Sequence, residues 1–414
     1  MRLLLKVAVL LVVPITSIQG KDSWPAFRGP DGNGVAADQQ APVDWSASEN
    51  IRWRMEMPGQ GWSSPVVGDG KAYLTAAIPV ENVENELRLC LLIVDVEKGE
   101  LMQTIDVMRQ SGERPARIHA KNSHASPTPI LSGNRVYVHF GYQGTACLTR
   151  DGQLLWQNRD LYFRPTHGNG GSPVLVDGRL VFTCDGDKNP RVVALDAETG
   201  KLAWETPRPV SAKKTFSFCT PTVIQVDGRK QIVAPGSDCV LAINPDDGKV
   251  IWDVRYEGYS VVPKPVFHGG LVYISTSFDR PEILAIDPSD SGVVTDSNVV
   301  WRVDRNAPKT PSMLASQGLL YSISDDGIAL CVDAVTGEIR YRKRIGGGFS
   351  ASPLLAGGNL YFTSEDGVTT VIRAGPEFDQ VAENEIGERT LASLAVVDGD
   401  LLLRTDQALY RIGK

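Results

Sequence analysis

Short apolar runs separated by turn residues follow one another along almost the whole chain. A half-unit reads Ser-Pro, an apolar run, an Asp-Gly or Gly-Gly pair, and a second apolar run with an aromatic residue, as in 172–182. Asp-Gly and Gly-Gly pairs between apolar runs are typical of tight β-hairpins. The pattern therefore predicts pairs of short antiparallel strands. We count eight copies, which begin at Ser64, Thr128, Ser172, Thr220, Lys264, Thr310, Ser352 and Ala392.

A second half-unit follows most copies of the first. It reads Ala-x-Asp-x-x-Thr-Gly-x-x-x-Trp in 194–204, and its tryptophan recurs at 156, 204, 252 and 301, a period of 48 to 49 residues. The two half-units together hold four strands. Four strands repeated eight times predict an all-β, eight-bladed β-propeller, with the tryptophans as apolar plates between blades.

The two ends of the chain complete each other. The last unit, 394–412, has three apolar runs, and the tryptophan-bearing fourth run is found at 50–56. The pattern predicts that this N-terminal strand pairs into the last blade and closes the ring. We therefore divide the chain into a leader at 1–20, an extended segment at 21–49 and the propeller at 50–414.

Residues 1–20 have the pattern of a secretory signal peptide. Arg2 and Lys6 precede the apolar run 7–13, and a small, polar stretch follows. Because the run is too short to span a bilayer comfortably, cleavage is favoured over an uncleaved anchor. We expect an exported protein, periplasmic or extracellular, with no transmembrane segment in the mature chain.

Charge and cysteine content narrow the function further. The chain has 42 Lys and Arg against 49 Asp and Glu, a net charge of −7, so no basic stripe is expected for nucleic acid. The six cysteines lie in apolar runs and form no Cys-x-x-Cys pair, which favours buried thiols. A disulfide is permitted in an exported protein, and Cys219 and Cys239 are the nearest pair in sequence. We expect a monomer.

The second half-unit resembles the repeats of the PQQ-like propeller superfamily, which includes quinoprotein alcohol dehydrogenases and the outer-membrane assembly factor BamB. The opening 24–34 and the loop 167–173 are similar to exported PQQ-repeat proteins of planctomycete-type bacteria. The resemblance covers 24–414 and implies the eight-bladed fold. The chain lacks the adjacent cysteines and the Cys-x-x-Cys-His motif of the dehydrogenases, and the lipobox cysteine of BamB. We therefore expect no cofactor, with PQQ as the alternative.

Candidate site residues come from the loops that the repeat does not explain. We label the four strands of each blade a to d, outward from the channel. The loops that join strand b to strand c, and strand d to strand a of the next blade, then lie on one face of the ring, and these loops are irregular. Loops on a rigid ring often carry function. Arginines there would supply forked donors for a carboxylate or sulfate, and His and Asn would hydrogen-bond hydroxyls. Each could instead simply cap a strand end. The candidates for ligand binding are Asn122, His124, His167, Asn169, Asp279, Arg280 and Arg389.

Three other features have simpler explanations. His119, His124 and His167 could suggest zinc, but no carboxylate at a suitable spacing completes a ligand set, so no metal is expected. Residues 31–34 start like a calcium loop and fit a turn better. The insertion 107–121 is either a solvated loop or an anion-attracting lid; its arginines are Arg109, Arg114 and Arg117.

Taken together, the sequence predicts an exported, non-catalytic propeller that serves as a binding or scaffold module. Its partner would be a polar small molecule, a glycan or a protein. The alternative is a quinoprotein-type oxidoreductase that acts at the mouth of the channel.

Overall fold

The computed structural model describes residues 24–110 and 118–414. The predicted signal peptide lies outside these residues. Two N-terminal strands come first, β1 (Val35–Ala36) and β2 (Ile51–Glu56). The next 32 strands belong to the blades. The described residues include two short helical segments, a 3-10 turn (Gly141–Gln143) in the second blade and α1 (Thr295–Asn298) in the fifth. The predicted all-β, eight-bladed propeller is confirmed.

The strands of the first four blades run outward from the channel, one blade after another. Their bounds are β3 (Val66–Gly68), β4 (Lys71–Pro79), β5 (Leu87–Asp95) and β6 (Glu100–Gln110); β7 (Ile130–Ser132), β8 (Arg135–His139), β9 (Thr145–Thr149) and β10 (Leu154–Asn158); β11 (Val174–Val176), β12 (Arg179–Cys184), β13 (Arg191–Asp196) and β14 (Leu202–Pro207); and β15 (Thr222–Val226), β16 (Arg229–Gly236), β17 (Cys239–Ile243) and β18 (Val250–Arg255).

The last four blades follow the same order. Their bounds are β19 (Val266–His268), β20 (Leu271–Ser275), β21 (Ile283–Ile286) and β23 (Val299–Val303), with β22 (Gly292–Val293) added to the edge of blade 4; β24 (Leu314–Ser316), β25 (Leu319–Ile323), β26 (Ile328–Asp333) and β27 (Ile339–Arg344); β28 (Leu354–Ala356), β29 (Asn359–Thr363), β30 (Val368–Arg373) and β31 (Gln380–Glu385); and β32 (Ala395–Val397), β33 (Asp400–Arg404) and β34 (Ala408–Ile412).

The a–b hairpins turn as the Asp-Gly pairs predict. In blade 3, Asp177 has φ of 45° and Gly178 has φ of 72°. Positive φ at both central residues is the type I′ turn, whose twist matches that of the flanking strands. These short turns place the regular face of the propeller at one end of the channel and leave the longer loops at the other.

The tryptophans are confirmed as plates between blades. Trp204 on β14 donates its indole N–H to the carbonyl of Pro245 at 2.9 Å, in the next blade. Its ring covers Gly248, where φ is +72° and a Cβ would lie 2.8 Å from the ring. Only glycine accommodates both the backbone and the ring, which explains the glycine under a tryptophan at 99, 200, 248 and 337.

The ring closes as predicted. Strand β2 pairs antiparallel with β34 and becomes the outermost strand of blade 8. At this seam Arg52 of β2 forms a salt bridge with Asp400 of β33 at 2.6 Å. The chain ends therefore meet in one blade, and β2 supplies the fourth strand of that blade.

Two further properties follow from the described residues. All six cysteines are buried and free, so the nearest pair, Cys219 and Cys239, is not a disulfide. The helices in this part of the chain are too short to cross a membrane.

Candidate functional site

Seven hydroxyls form a belt around the channel, where the inner strands begin. In each case a backbone N–H donates to the hydroxyl oxygen of the next blade, at 2.8 to 3.1 Å. The sequence puts Ser or Thr at this point of nearly every repeat. The hydroxyl belt consists of Ser64, Thr128, Ser172, Thr220, Ser312, Ser352 and Ser393.

The belt corrects two details of the repeat alignment. The eighth copy was placed at Ala392, whereas the structure puts Ser393 in the belt. The sixth copy was placed at Thr310, whereas the structure puts Ser312 in the belt. Ser312 lies two residues before β24, as Ser64 lies two residues before β3. The alignment was shifted because Thr310-Pro311 resembles the Ser-Pro pair and lies two residues before Ser312.

Blade 5 breaks the belt. Its belt position is Lys264, whose N–H donates to Ser312 at 3.0 Å but whose side chain offers no hydroxyl to Thr220. The Thr220 N–H consequently has no acceptor among the described residues. The Lys264 ammonium turns away instead and donates to the carbonyl of Gly32 at 2.7 Å.

Residues 24–34 close the opposite end of the channel, and we call them the channel plug. Trp24 exchanges two backbone hydrogen bonds with Val67 of blade 1. The carbonyl of Gly34 accepts from Leu355 of blade 7, and β1 then pairs parallel with β28. Phe27 of the plug lines the cavity above it. The channel is therefore a blind cavity that opens only on the irregular face.

Two buried cations lie in and beside the plug. Arg28 is 2% exposed, and its Nη2 donates to the carbonyls of Asn33 and Met313, while Nε and Nη1 have no partner. Burial lowers the pKa of Arg28 to about 9. Burial, followed by the charge of Arg28, lowers the pKa of Lys264 to about 7. Neither forms an ion pair with a described carboxylate.

The blind cavity has a volume of about 390 Å³. The hydroxyl belt lines its wall, and aromatic rings line one side of its mouth. We call the rings the aromatic arc; neighbouring centroids are 5.1 to 6.2 Å apart. The arc consists of His119, His167, Phe216, Tyr259 and Phe278. Hydroxyl donors below and apolar ring faces above suit a ligand with a polar and an apolar part.

The chain from 118 to 122 crosses this mouth. The N–H of His119 donates to the carbonyl of His167 in the loop before blade 3. Lys121 forms a salt bridge with Glu365 of blade 7 at 2.6 Å. Arg389, from the loop before blade 8, donates to the carbonyl of Ala120 at 3.0 Å. This part of the predicted insertion thus narrows the entrance; Arg114 and Arg117 lie outside the described residues.

Three of the seven predicted site residues lie at the mouth. Asn122 and His167 line the cavity, and the Asn122 amide donates to the His167 carbonyl at 3.0 Å. Partial burial, with a contribution from the charge of His119, lowers the pKa of His167. Arg389 lies at the rim, with its guanidinium 5.5 Å from the centre of the Trp62 ring.

The structure does not bring the other four into the cavity. Asn169 is buried in the wall, where it bonds the backbone of Tyr142 and Phe140. His124 is half-buried behind the lining, which lowers its pKa. Asp279 and Arg280 line a separate groove beside Tyr259. The cavity opens on the irregular face, but loop membership alone does not reveal which side chains turn inward.

The main features of the lining were not predicted from the sequence. The belt could have been found because Ser or Thr stands at one fixed place in the repeat. The arc had a weaker signal, since Phe216, Phe218 and Tyr259 lie in the same irregular loops as the chosen polar residues. Several aromatic residues in the loops of one face indicate an exposed apolar patch, and such a patch often marks a binding site.

The lining does not fit a quinone held by a divalent cation. Among the described residues that line the cavity there is no carboxylate, the ligand such a cation prefers. The chain has no adjacent cysteines. No group of three His, Cys, Asp or Glu in the described part of the chain could hold a metal ion.

Comparisons with known proteins agree with this architecture. The family model described as outer membrane protein assembly factor BamB matches residues 102–287 and 283–381, more than half of the chain. The chain belongs to this family. The BamB protein of Yersinia pestis is 21% identical over 280 residues, covering 55% of this chain and 69% of that protein.

Solved structures show the same fold at low sequence identity. BamB from Moraxella catarrhalis aligns with a TM-score of 0.58 at 11% identity, over 87% of this BamB-family chain and 99% of that one. A europium-containing methanol dehydrogenase aligns with a TM-score of 0.62 at 10% identity, over 93% and 89%. A quinohemoprotein alcohol dehydrogenase from Pseudomonas putida aligns with a TM-score of 0.63 at 13% identity, over 95% of this chain and 80% of that one. At these identities the likeness concerns the fold alone.

Proposed function

We propose that this BamB-family propeller is an exported, non-catalytic binding module that takes a small ligand into the blind cavity. The observation that carries the proposal is the cavity itself, about 390 Å³, open at one end and lined by the hydroxyl belt and the aromatic arc. Pockets of this size bury most of the surface of a small molecule. The plug at the other end argues against a tunnel.

The arrangement of titratable groups favours binding over catalysis. The two histidines of the lining, His119 and His167, contact each other edge to face rather than a nucleophile. The described hydroxyls of the belt accept backbone N–H groups, and none donates to a histidine. A nucleophile within hydrogen-bond reach of a base is the usual sign of covalent catalysis.

Ligand-observed NMR with a small set of fragments tests the proposal. The probes are phenol, benzyl alcohol, 3-phenylpropionate, 3-phenylpropionamide and methyl α-glucoside. We expect at least one aromatic fragment to give saturation transfer with the wild type and to lose it in Phe216→Ala, which removes the centre of the arc. Phe378→Ala is the matched control, since Phe378 packs on Tyr341 away from the cavity.

Two outcomes contradict the proposal. Fragments that bind wild type and Phe216→Ala equally would place the binding surface elsewhere, and no binding by any probe at millimolar concentration would remove the cavity as a ligand site. Dye reduction with an alcohol, after addition of PQQ and Ca²⁺, would show the quinoprotein-type enzyme instead. We expect none.

A further inference from the structure

The hydroxyls of the belt have one free hydrogen each. Every belt oxygen accepts an N–H from the preceding blade, and none of the seven hydroxyls has an acceptor among the described residues. A hydroxyl that already accepts still has an O–H to donate. The wall of the cavity is therefore rich in hydrogen-bond donors.

Donors are densest where the belt is broken. At the break Thr220 presents its unpaired backbone N–H as well as its hydroxyl, and it lines the cavity. Ser312 lies on the other side of Lys264 and also lines the cavity. An N–H and an O–H donor on the same residue are the groups that hydrogen-bond an oxygen atom carrying negative charge.

The charges behind the wall have the matching sign. Lys264 is 5% exposed and Arg28 is 2% exposed, and no described carboxylate pairs with either. Burial without a counter-charge disfavours the charged forms of both side chains, because little water remains to solvate them, and it lowers the pKa of Lys264 to about 7. An anion in front of Lys264 favours its protonated form.

The apolar surface lies on the same side of the channel. Phe216 and Phe218 precede Thr220 in the loop before blade 4, and Tyr259 precedes Lys264 in the next loop. Phe216 is 5.7 Å from Tyr259 and 6.1 Å from Phe218, measured between ring centroids. These rings form a continuous apolar face above the break.

We propose that the break in the hydroxyl belt, at Thr220 and Lys264, is an oxyanion site for the carboxylate of a small organic acid. The apolar body of the acid packs against Phe216, Phe218 and Tyr259. This inference rests on the proposed function, since it names the ligand class of the same cavity. The binding involves no covalent step.

Titration calorimetry with two probes of the same shape tests the site. The acid 3-phenylpropionate carries the charge, and 3-phenylpropionamide does not. We expect the acid to bind wild type at least tenfold more tightly than the amide. Lys264→Met should reduce the affinity for the acid at least tenfold and leave that for the amide within twofold. Lys249→Met is the control, because it removes one exposed lysine from a turn on the regular face.

A second pair of variants covers the case in which Lys264→Met disturbs the plug. Thr220→Val removes the hydroxyl at the break and keeps the shape of the side chain, and it should lower the affinity for the acid at least fivefold. Thr128→Val makes the same change elsewhere in the belt and should lower it less than twofold. Each change leaves one N–H without an acceptor, so the pair is matched in its structural cost.

The results separate this inference from the proposed function. Equal affinities for acid and amide, or equal losses in Thr220→Val and Thr128→Val, would overturn the oxyanion site while the cavity remains a binding site. If neither probe binds wild type, both proposals are wrong.

Discussion

The contact between Trp204 and the next blade gives the sharpest stability prediction. The indole is 8% exposed, its ring lies on Gly248, and its N–H bonds Pro245 at 2.9 Å. A buried tryptophan removes about 150–250 Å² from water, worth roughly 4–6 kcal/mol at about 25 cal/mol per Å². Partial relaxation brings the expected loss for Trp204→Ala to ~3–5 kcal/mol. Urea unfolding, followed by circular dichroism, measures this loss of unfolding free energy.

A double-mutant cycle identifies the contact itself. Gly248→Ala should destabilise for two reasons, because φ is +72° and because the new Cβ would lie 2.8 Å from the Trp204 ring. In the Trp204→Ala background the clash is gone and only the backbone strain remains, so Gly248→Ala should cost less there. Leu202→Ala is the control, since Leu202 is 49% exposed on the same strand. A loss below about 1 kcal/mol for Trp204→Ala, as for a surface change, would refute the plate model.

Three further predictions concern closure and buried charge. Deleting residues 21–57 removes β2 and the channel plug and should cause aggregation or a large fall in melting temperature; unchanged cooperative melting would contradict ring closure. Asp185→Asn should lower the free energy of unfolding by ~3–5 kcal/mol, because it leaves the buried guanidinium of Arg208 without the carboxylate that now lies 2.7 Å away. A loss under about 1 kcal/mol in urea unfolding would show that the pair is dispensable. Burial lowers the pKa of Lys264 from 10.5 to about 7, so between these values the unfolded chain binds a proton that the folded chain has lost, and stability rises with pH. Nearby Arg28, with a pKa of about 9, stays mostly protonated up to pH 8, and the Cys219 thiol, its pKa raised by burial, stays neutral. Lys264→Met should therefore flatten the rise in urea midpoint between pH 7 and 8; an unchanged slope would contradict the assignment.

The fold could be predicted because the same stabilising contacts recur from blade to blade. An Asp-Gly turn, a tryptophan and a glycine at fixed spacing recur in several blades, so each copy supports the same interpretation. The strand at 50–56 was recognisable as the missing member of blade 8 because it carries the same tryptophan, Trp53, whose N–H bonds the carbonyl of Val96 in blade 1.

The site was harder to predict because it occurs once. Asn169 and His167 lie two residues apart in one loop, yet the first bonds the wall and the second lines the cavity. No periodic pattern distinguishes them. Residues 31–34 of the channel plug were interpreted as a turn, and only tertiary contacts such as that of Arg28 with Met313 show that the plug lies inside the ring. Lys264-Pro265 was counted as a loose copy of the Ser-Pro pair. The replacement of Ser by Lys at this position is what interrupts the hydroxyl belt.

The most direct test of the central claim is a crystal structure of the protein soaked with 3-(4-bromophenyl)propionate, with data collected at the bromine absorption edge. The anomalous signal locates the ring of the acid, and the electron density locates its carboxylate. We predict the bromine beside Phe216 and Tyr259 and the carboxylate within hydrogen-bond distance of the Thr220 N–H. A bromine peak outside the cavity, or none at a concentration that saturates binding in solution, would contradict the account.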